Sequence, residues 1–215
     1  MVDLCNFVSF MNRNMSELLC GGRHRQYCEI FNKFFQSLKD AGAELVFFED
    51  GAVQETKNEE WCKRQDSKYK NTMVHIKEID CLERLEKVIQ FSENKASPEI
   101  PRISTFLYAL EICAETLGKL VRSVTVECDL EMAEYATKND ALAVLTDDTD
   151  FLIFPGNWFH WSVNEINETE MTTKKYDRKK LRMMLTLKDH QMPILATLAG
   201  NDIVPYECLK VNKNI

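Results

Sequence analysis

Three carboxylates within four positions, Asp147, Asp148 and Asp150, stand between the apolar runs Ala141-Leu142-Ala143-Val144-Leu145 and Phe151-Leu152-Ile153-Phe154. Carboxylates this close repel one another, and withdrawing them from water is costly. A fold that sets them beside its core needs something positive to offset them. The commonest such partner is a divalent metal ion held by oxygen ligands. The turn therefore points to metal-dependent chemistry at the rim of a buried sheet.

The chain can build the core this requires. Its 215 residues, 45% of them apolar, suit one generous domain. No apolar run approaches the length needed to span a bilayer, and the N-terminus lacks the basic and apolar segments of a signal peptide. A net charge of −7 argues against coating nucleic acid by bulk attraction, but basic residues concentrate at 57–70 and 174–182. The eight cysteines include no CxxC pair, and His24, His75, His160 and His190 are scattered without zinc-site spacing. Reduced thiols in an intracellular protein are expected.

Apolar strands alternate with amphipathic helices, a pattern that predicts an α/β fold with a largely parallel sheet. Residues 2–4 read as the stub of a first strand. Apolar positions 27, 30, 31, 34, 35 and 38 form a helical stripe that ends at Gly42. Residues 44–48 read as a buried strand, 55–95 as a long charged helix and 103–117 as an apolar-striped helix stopped by Gly118. A β-like segment over 120–126 precedes a helix over 129–137. Residues 142–145 and 151–154 read as strands flanking the acidic turn, and helices over 176–187 and 191–198 follow.

In an open parallel sheet, ligands gather at the carboxyl ends of strands. Asp3, Asp50, Glu127 with Asp129, and Asp148 with Asp150 each follow a predicted strand, and Asp202 follows the end of a helix. Side chains two apart on an extended backbone share a face, so Asp148 and Asp150 could point one way while Asp147 points aside. Any one such aspartate is most often a turn residue or a helix cap. Recurrence at strand end after strand end favours a shared site, because caps have no need to converge.

Several stretches together resemble the flap endonuclease/XPG superfamily, and within it the Asteroid branch. They are Gly21-Gly22 before the helix that carries Tyr27, Leu45-Val46-Phe47-Phe48-Glu49-Asp50-Gly51, Glu127-Cys128-Asp129-Leu130-Glu131-Met132-Ala133, Leu145-Thr146-Asp147-Asp148-Thr149-Asp150-Phe151, and Leu198-Ala199-Gly200-Asn201-Asp202 with the Ile-Val-Pro after it. The resemblance implies a PIN-like fold whose central, mostly parallel sheet carries helices on both faces. One nuclease domain would span 1–215, with an N-terminal nuclease region over about 1–95 and an internal one over about 96–215. The chain would be truncated at both ends, since Asp3 is nearly the first residue and the sequence stops soon after Asp202.

By that resemblance Asp3, Asp50, Glu127, Asp129, Asp148, Asp150 and Asp202 would hold two Mg²⁺ or Mn²⁺ ions. Lys57 and Arg64, counted from Asp50-Gly51, would face the scissile phosphate. The implied activity is two-metal hydrolysis of single-stranded or flap-bearing DNA by a nuclear protein with no membrane partner. The rival expectation is a catalytically weak or inactive interaction module of the same fold. It is suggested by the Asteroid branch's link to receptor signalling. A third reading, a small PIN-type ribonuclease, fits the acids but not Lys57 and Arg64. Glu49 stands where the superfamily prefers an apolar residue.

Overall fold

A computed structural model describes residues 1–13, 24–51, 53, 55–80, 104–124 and 127–199. The chain forms two compact units. One comprises Val2–Glu49 with Cys62–Arg122. The other comprises Met1, Asp50–Trp61 and the described residues from Ser123 onward.

The first unit is organised by phenylalanines. Strand β1 (Val2–Asp3) runs parallel to β2 (Val46–Asp50), with Val2 opposite Phe47 and Asp3 opposite Phe48. Helix α1 (Leu4–Arg13) follows β1 directly. It buries Leu4, Phe7, Val8 and Met11, the i, i+3, i+4, i+7 stripe of an amphipathic helix. Helix α2 (His24–Asp40) buries Tyr27, Phe31 and Phe35, each four positions from the last. The rings of Phe7 and Phe31 lie 4.7 and 4.6 Å from that of Phe35, which lies 4.9 Å from Phe47 of β2. Fully burying such a ring stabilises by roughly 1.5–3 kcal/mol, so this cluster dominates the unit's cohesion.

Helix α2 ends where the sequence predicts. Gly42 takes φ of +90°, and the N–H groups of Gly42 and Ala43 donate to the carbonyls of Lys39 and Leu38. A 3-10 turn (Glu55–Lys57) leads into helix α3 (Asn58–Asp80), so the described part of the predicted long helix is helical. Helix α4 (Ser104–Leu117) packs on α2 and stops at Gly118. A Cβ at Gly118 would collide with the carbonyl oxygen of Leu45, which accepts from Lys119 N–H at 3.1 Å. Only glycine permits that approach. It delivers the chain into β3 (Lys119–Ser123), beside β2.

In the second unit, helix α5 (Cys128–Lys138) buries Cys128, Met132, Ala133 and Ala136. Strand β4 (Ala143–Leu145) runs parallel to β5 (Phe159–Trp161), which pairs antiparallel with β6 (Lys175–Tyr176). Met1 lies along β4, donating to Ala143 O and accepting from Leu145 N–H, both at 2.9 Å. Helix α6 (Arg178–Met184) is capped by Asp177, which accepts from the N–H groups of Lys179 and Lys180. A 3-10 turn (Asp189–Gln191) and helix α7 (Met192–Ala199) follow.

The α/β class and the mostly parallel pairing are as expected. Helix α1 and strands β5 and β6 are not expected from the sequence, and one expected strand is absent. Residues 151–154 form no strand; the segment Thr149–Leu152 is a 3-10 turn. Asp148 caps that turn by accepting from Asp150 N–H at 3.0 Å, and this local bond coils the backbone before any ladder can form. Phe151 is fully buried all the same, packed edge-on against Phe154 and Trp158. Cys5, Cys28, Cys62, Cys113 and Cys128 are thiols, and burial pushes Cys28 up to about 11. No helix among the described residues is long and apolar enough to cross a membrane.

Candidate functional site

The second unit holds most of the candidate residues. Lys57 closes the 3-10 turn that follows β2, and its Nζ donates to Oε1 of Glu127. Glu127 stands at the N-cap position of α5 with extended backbone, φ −63° and ψ 134°, yet its side chain caps nothing. Its carboxylate turns to Lys57 instead. The two side chains are 28% and 31% exposed, so water screens the pair only in part. Asp129 lies in the first helical turn of α5, where the positive end of the helix dipole favours a carboxylate.

The acidic turn is ordered by its own hydrogen bonds. Thr146 is completely buried; its N–H donates to Trp161 O, and its Oγ1 accepts from Asp148 N–H at 3.0 Å. Asp147 turns to the loop after β5. It accepts from Ser162 Oγ at 2.6 Å and from Asn164 N–H at 2.7 Å, which ties the turn to the loop after β5. Asp148 and Asp150 are joined by the capping bond and do not sit two apart on an extended strand. Asp150 is exposed, as is Asp50 at the end of β2. N–H and O–H donors meet Asp147 and Asp148, and Lys57 meets Glu127.

Beneath the turn, His160 of β5 is buried, with Nε2 2.8 Å from Thr146 O. Burial lowers its pKa, against smaller upward pulls from the Thr146 carbonyl, Asp147 and Asp148. A neutral ring that donates through Nε2 leaves Nδ1 as an acceptor, and that buried atom has no hydrogen-bond partner among the described residues.

The first unit holds Asp3 and Arg64. Asp3 is buried and accepts from Asn6 N–H at 2.9 Å and from the Asn6 side-chain amide. It caps α1, the commonplace role of an aspartate at that position. Arg64 is exposed on α3. Asp202 lies outside the described residues. Among the described residues, no three His, Cys, Asp or Glu side chains form a group able to hold a metal ion.

Sequence reasoning passed over one charged cluster in the first unit. Arg122 of β3 donates to Glu49 of β2 through Nε at 2.8 Å and to Glu111 of α4 through Nη2 at 2.7 Å. Both glutamates are buried, whereas the guanidinium is 53% exposed. The pKa of Glu111 is raised, chiefly by burial and then by its hydrogen bond with Glu49. The available signal was Glu49 itself, a charged residue inside an apolar strand pattern.

Comparison with known proteins places these residues in context. Residues 120–202 match the family model for the XPG I-region, a stretch that contains Glu127, Asp129, Asp148, Asp150 and Asp202. Three curated relatives bear the name constitutive coactivator of peroxisome proliferator-activated receptor gamma. The one from Bos taurus is 30% identical over 199 residues, covering 89% of this chain and 27% of its own length. The Homo sapiens protein is 31% identical over 205 residues, covering 89% and 21%. The Mus musculus protein is 29% identical over 203 residues, covering 89% and 24%. The chain therefore spans about a quarter of the length of these relatives. The I-region match supports kinship with the XPG nuclease superfamily, and the relatives' names describe coactivation.

Proposed function

We propose that this chain is a protein-interaction module built on an XPG-type nuclease scaffold, serving a coactivator-like role in the nucleus. The observation that carries the reading is the Lys57–Glu127 ion pair. The lysine that would face a scissile phosphate and the glutamate that would hold a metal ion neutralise each other. Asp3 and Asp148 are likewise engaged as caps, and Asp147 as a loop tie. A carboxylate serving as a cap contributes stability without any ion. The relatives' names add support, since each is called a coactivator.

The second reading is a Mg²⁺- or Mn²⁺-dependent endonuclease acting on single-stranded or flap DNA. It is favoured by the I-region match, within which Glu127, Asp129, Asp148, Asp150 and Asp202 are all present. On this reading Lys57 would leave Glu127 for the substrate phosphate, and Arg64 would assist it.

One assay separates the two. Native protein and the Asp148→Asn, Asp150→Asn double variant are incubated with labelled flap, overhang and RNA substrates in Mg²⁺ and in Mn²⁺. The interaction reading expects no product from either protein. Product formed by the native protein alone, and only with metal, overturns it in favour of the nuclease. A melting midpoint that rises with Mn²⁺ in native protein but not in the variant would point the same way.

A further inference from the structure

The second unit contains a cavity of about 780 Å³ that none of the candidate site residues lines. Its apolar lining comes from Leu130 and Ala133 of α5 and from Phe154, Pro155 and Trp158 of the loop before β5. The lining also carries Arg178, Lys179 and Arg182 of α6, together with the carboxylates Glu134, Asp140 and Asp189. The volume lies within the range of small-molecule sites, roughly 300–1,000 Å³, and an apolar body with a few converging polar groups is their usual composition.

The cations differ in how they are held. Arg178 is nearly enclosed, and its guanidinium donates to the carbonyls of Leu152, Ile153 and Gly156 at 3.2–3.4 Å. It is built into the wall and fixes the loop that carries Trp158. Burial lowers its pKa, against a smaller upward pull from Asp189, whose carboxylate is 3.8 Å away and largely in water. Arg182 pairs closely with that same Asp189, which also lines the cavity. One exposed carboxylate thus serves two arginines, with Lys179 beside them. Four cations and three carboxylates line the cavity, so an anion entering beside Arg182 and Lys179 would meet a small surplus of positive charge next to an apolar surface.

We propose that this cavity binds a small amphipathic anion, an apolar ring system or chain bearing one sulfonate, carboxylate or phosphate group. The apolar body would lie against Phe154, Pro155 and Trp158, and the charged group would face Arg182 and Lys179. The site is independent of the Lys57–Glu127 pair and of either reading above.

The test is a fluorescence titration with two probes of nearly equal shape. These are 1-anilinonaphthalene-8-sulfonate and its uncharged counterpart N-phenyl-1-naphthylamine, used on protein that melts cooperatively. The sulfonate is expected to saturate a single site and to bind about tenfold more tightly than the neutral probe, the worth of one well-placed charge contact. Arg182→Gln should remove that preference. Asp189→Asn, which deletes the competing carboxylate, should tighten the sulfonate and leave the neutral probe unchanged. Thr137→Trp, at an exposed lining position whose hydroxyl donates to Pro155 O, should obstruct both probes in protein that still melts cooperatively, and decides the matter if Arg182→Gln does not fold. The proposal is overturned if the sulfonate does not saturate, if both probes bind equally, or if Thr137→Trp leaves its affinity unchanged.

Discussion

The ammonium of Lys57 lies against the carboxylate of Glu127 although 70 positions separate them in the chain. The contact joins the turn after β2 to the start of α5. Each residue sits where the XPG resemblance would give it a separate partner, a phosphate for the lysine and a metal ion for the glutamate.

Breaking this pair should cost little stability. Both groups are about one-third exposed, and ion pairs of that kind contribute about 0–1 kcal/mol. Lys57→Met and Glu127→Gln should each lower the urea midpoint slightly, and a double-mutant cycle should return a coupling under about 1 kcal/mol. A much larger coupling would mean that the pair organises the unit and is not a replaceable contact.

The Glu49–Arg122–Glu111 cluster should behave differently. Arg122→Met leaves two buried carboxylates without their cation and should destabilise by on the order of 2 kcal/mol, less than for a fully buried pair because half the guanidinium is in water. The pH dependence follows from Glu111, whose pKa is raised in the fold. Between the ordinary and the folded values, the folded state holds a proton that the unfolded chain has released. Stability from this group is complete below the ordinary glutamate value and is lost as pH rises through the folded value. Glu111→Gln, a mimic of the protonated form, should flatten that slope. Chemical denaturation from pH 4 to pH 8 checks it, and an unchanged slope in the variant would refute the assignment.

The phenylalanine cluster and Gly118 should set the stability of the first unit. Phe35→Ala opens a cavity among Phe7, Phe31 and Phe47 and should cost about 3–5 kcal/mol. Gly118→Ala removes no contact but forces its methyl group into the Leu45 carbonyl, so it too should destabilise, by at least about 1 kcal/mol. Gly42→Ala adds a Cβ in open space at positive φ and should cost only about 1 kcal/mol. Thermal melts of the three variants should therefore show the largest drop for Phe35→Ala. Equal melting of Gly118→Ala and native protein would contradict the clash.

Long elements with a strong period were legible in the chain. The Tyr27, Phe31, Phe35 stripe gave α2, and the apolar run before Asp50 gave β2. Helix α1 also carried a readable stripe, Leu4, Phe7, Val8 and Met11, although its start was read as the end of a strand. Strands β5 and β6 have three and two residues, too few to show a period of two. The error at 151–154 has a local cause. An apolar run looks the same whether it is laid flat in a ladder or coiled behind a capping aspartate.

Composition, periodicity and turn chemistry act over a few residues, so the sequence by itself determined the α/β class, the helix stops at Gly42 and Gly118 and the crowding of acids after β4. Which charge neutralises which was decided only by tertiary structure. Lys57 meets Glu127, Arg122 bridges Glu49 and Glu111, and Asp147 ties to Ser162 across a loop. Coulomb attraction and hydrogen bonding depend on distance through space, and chain order does not encode that distance until the backbone has folded.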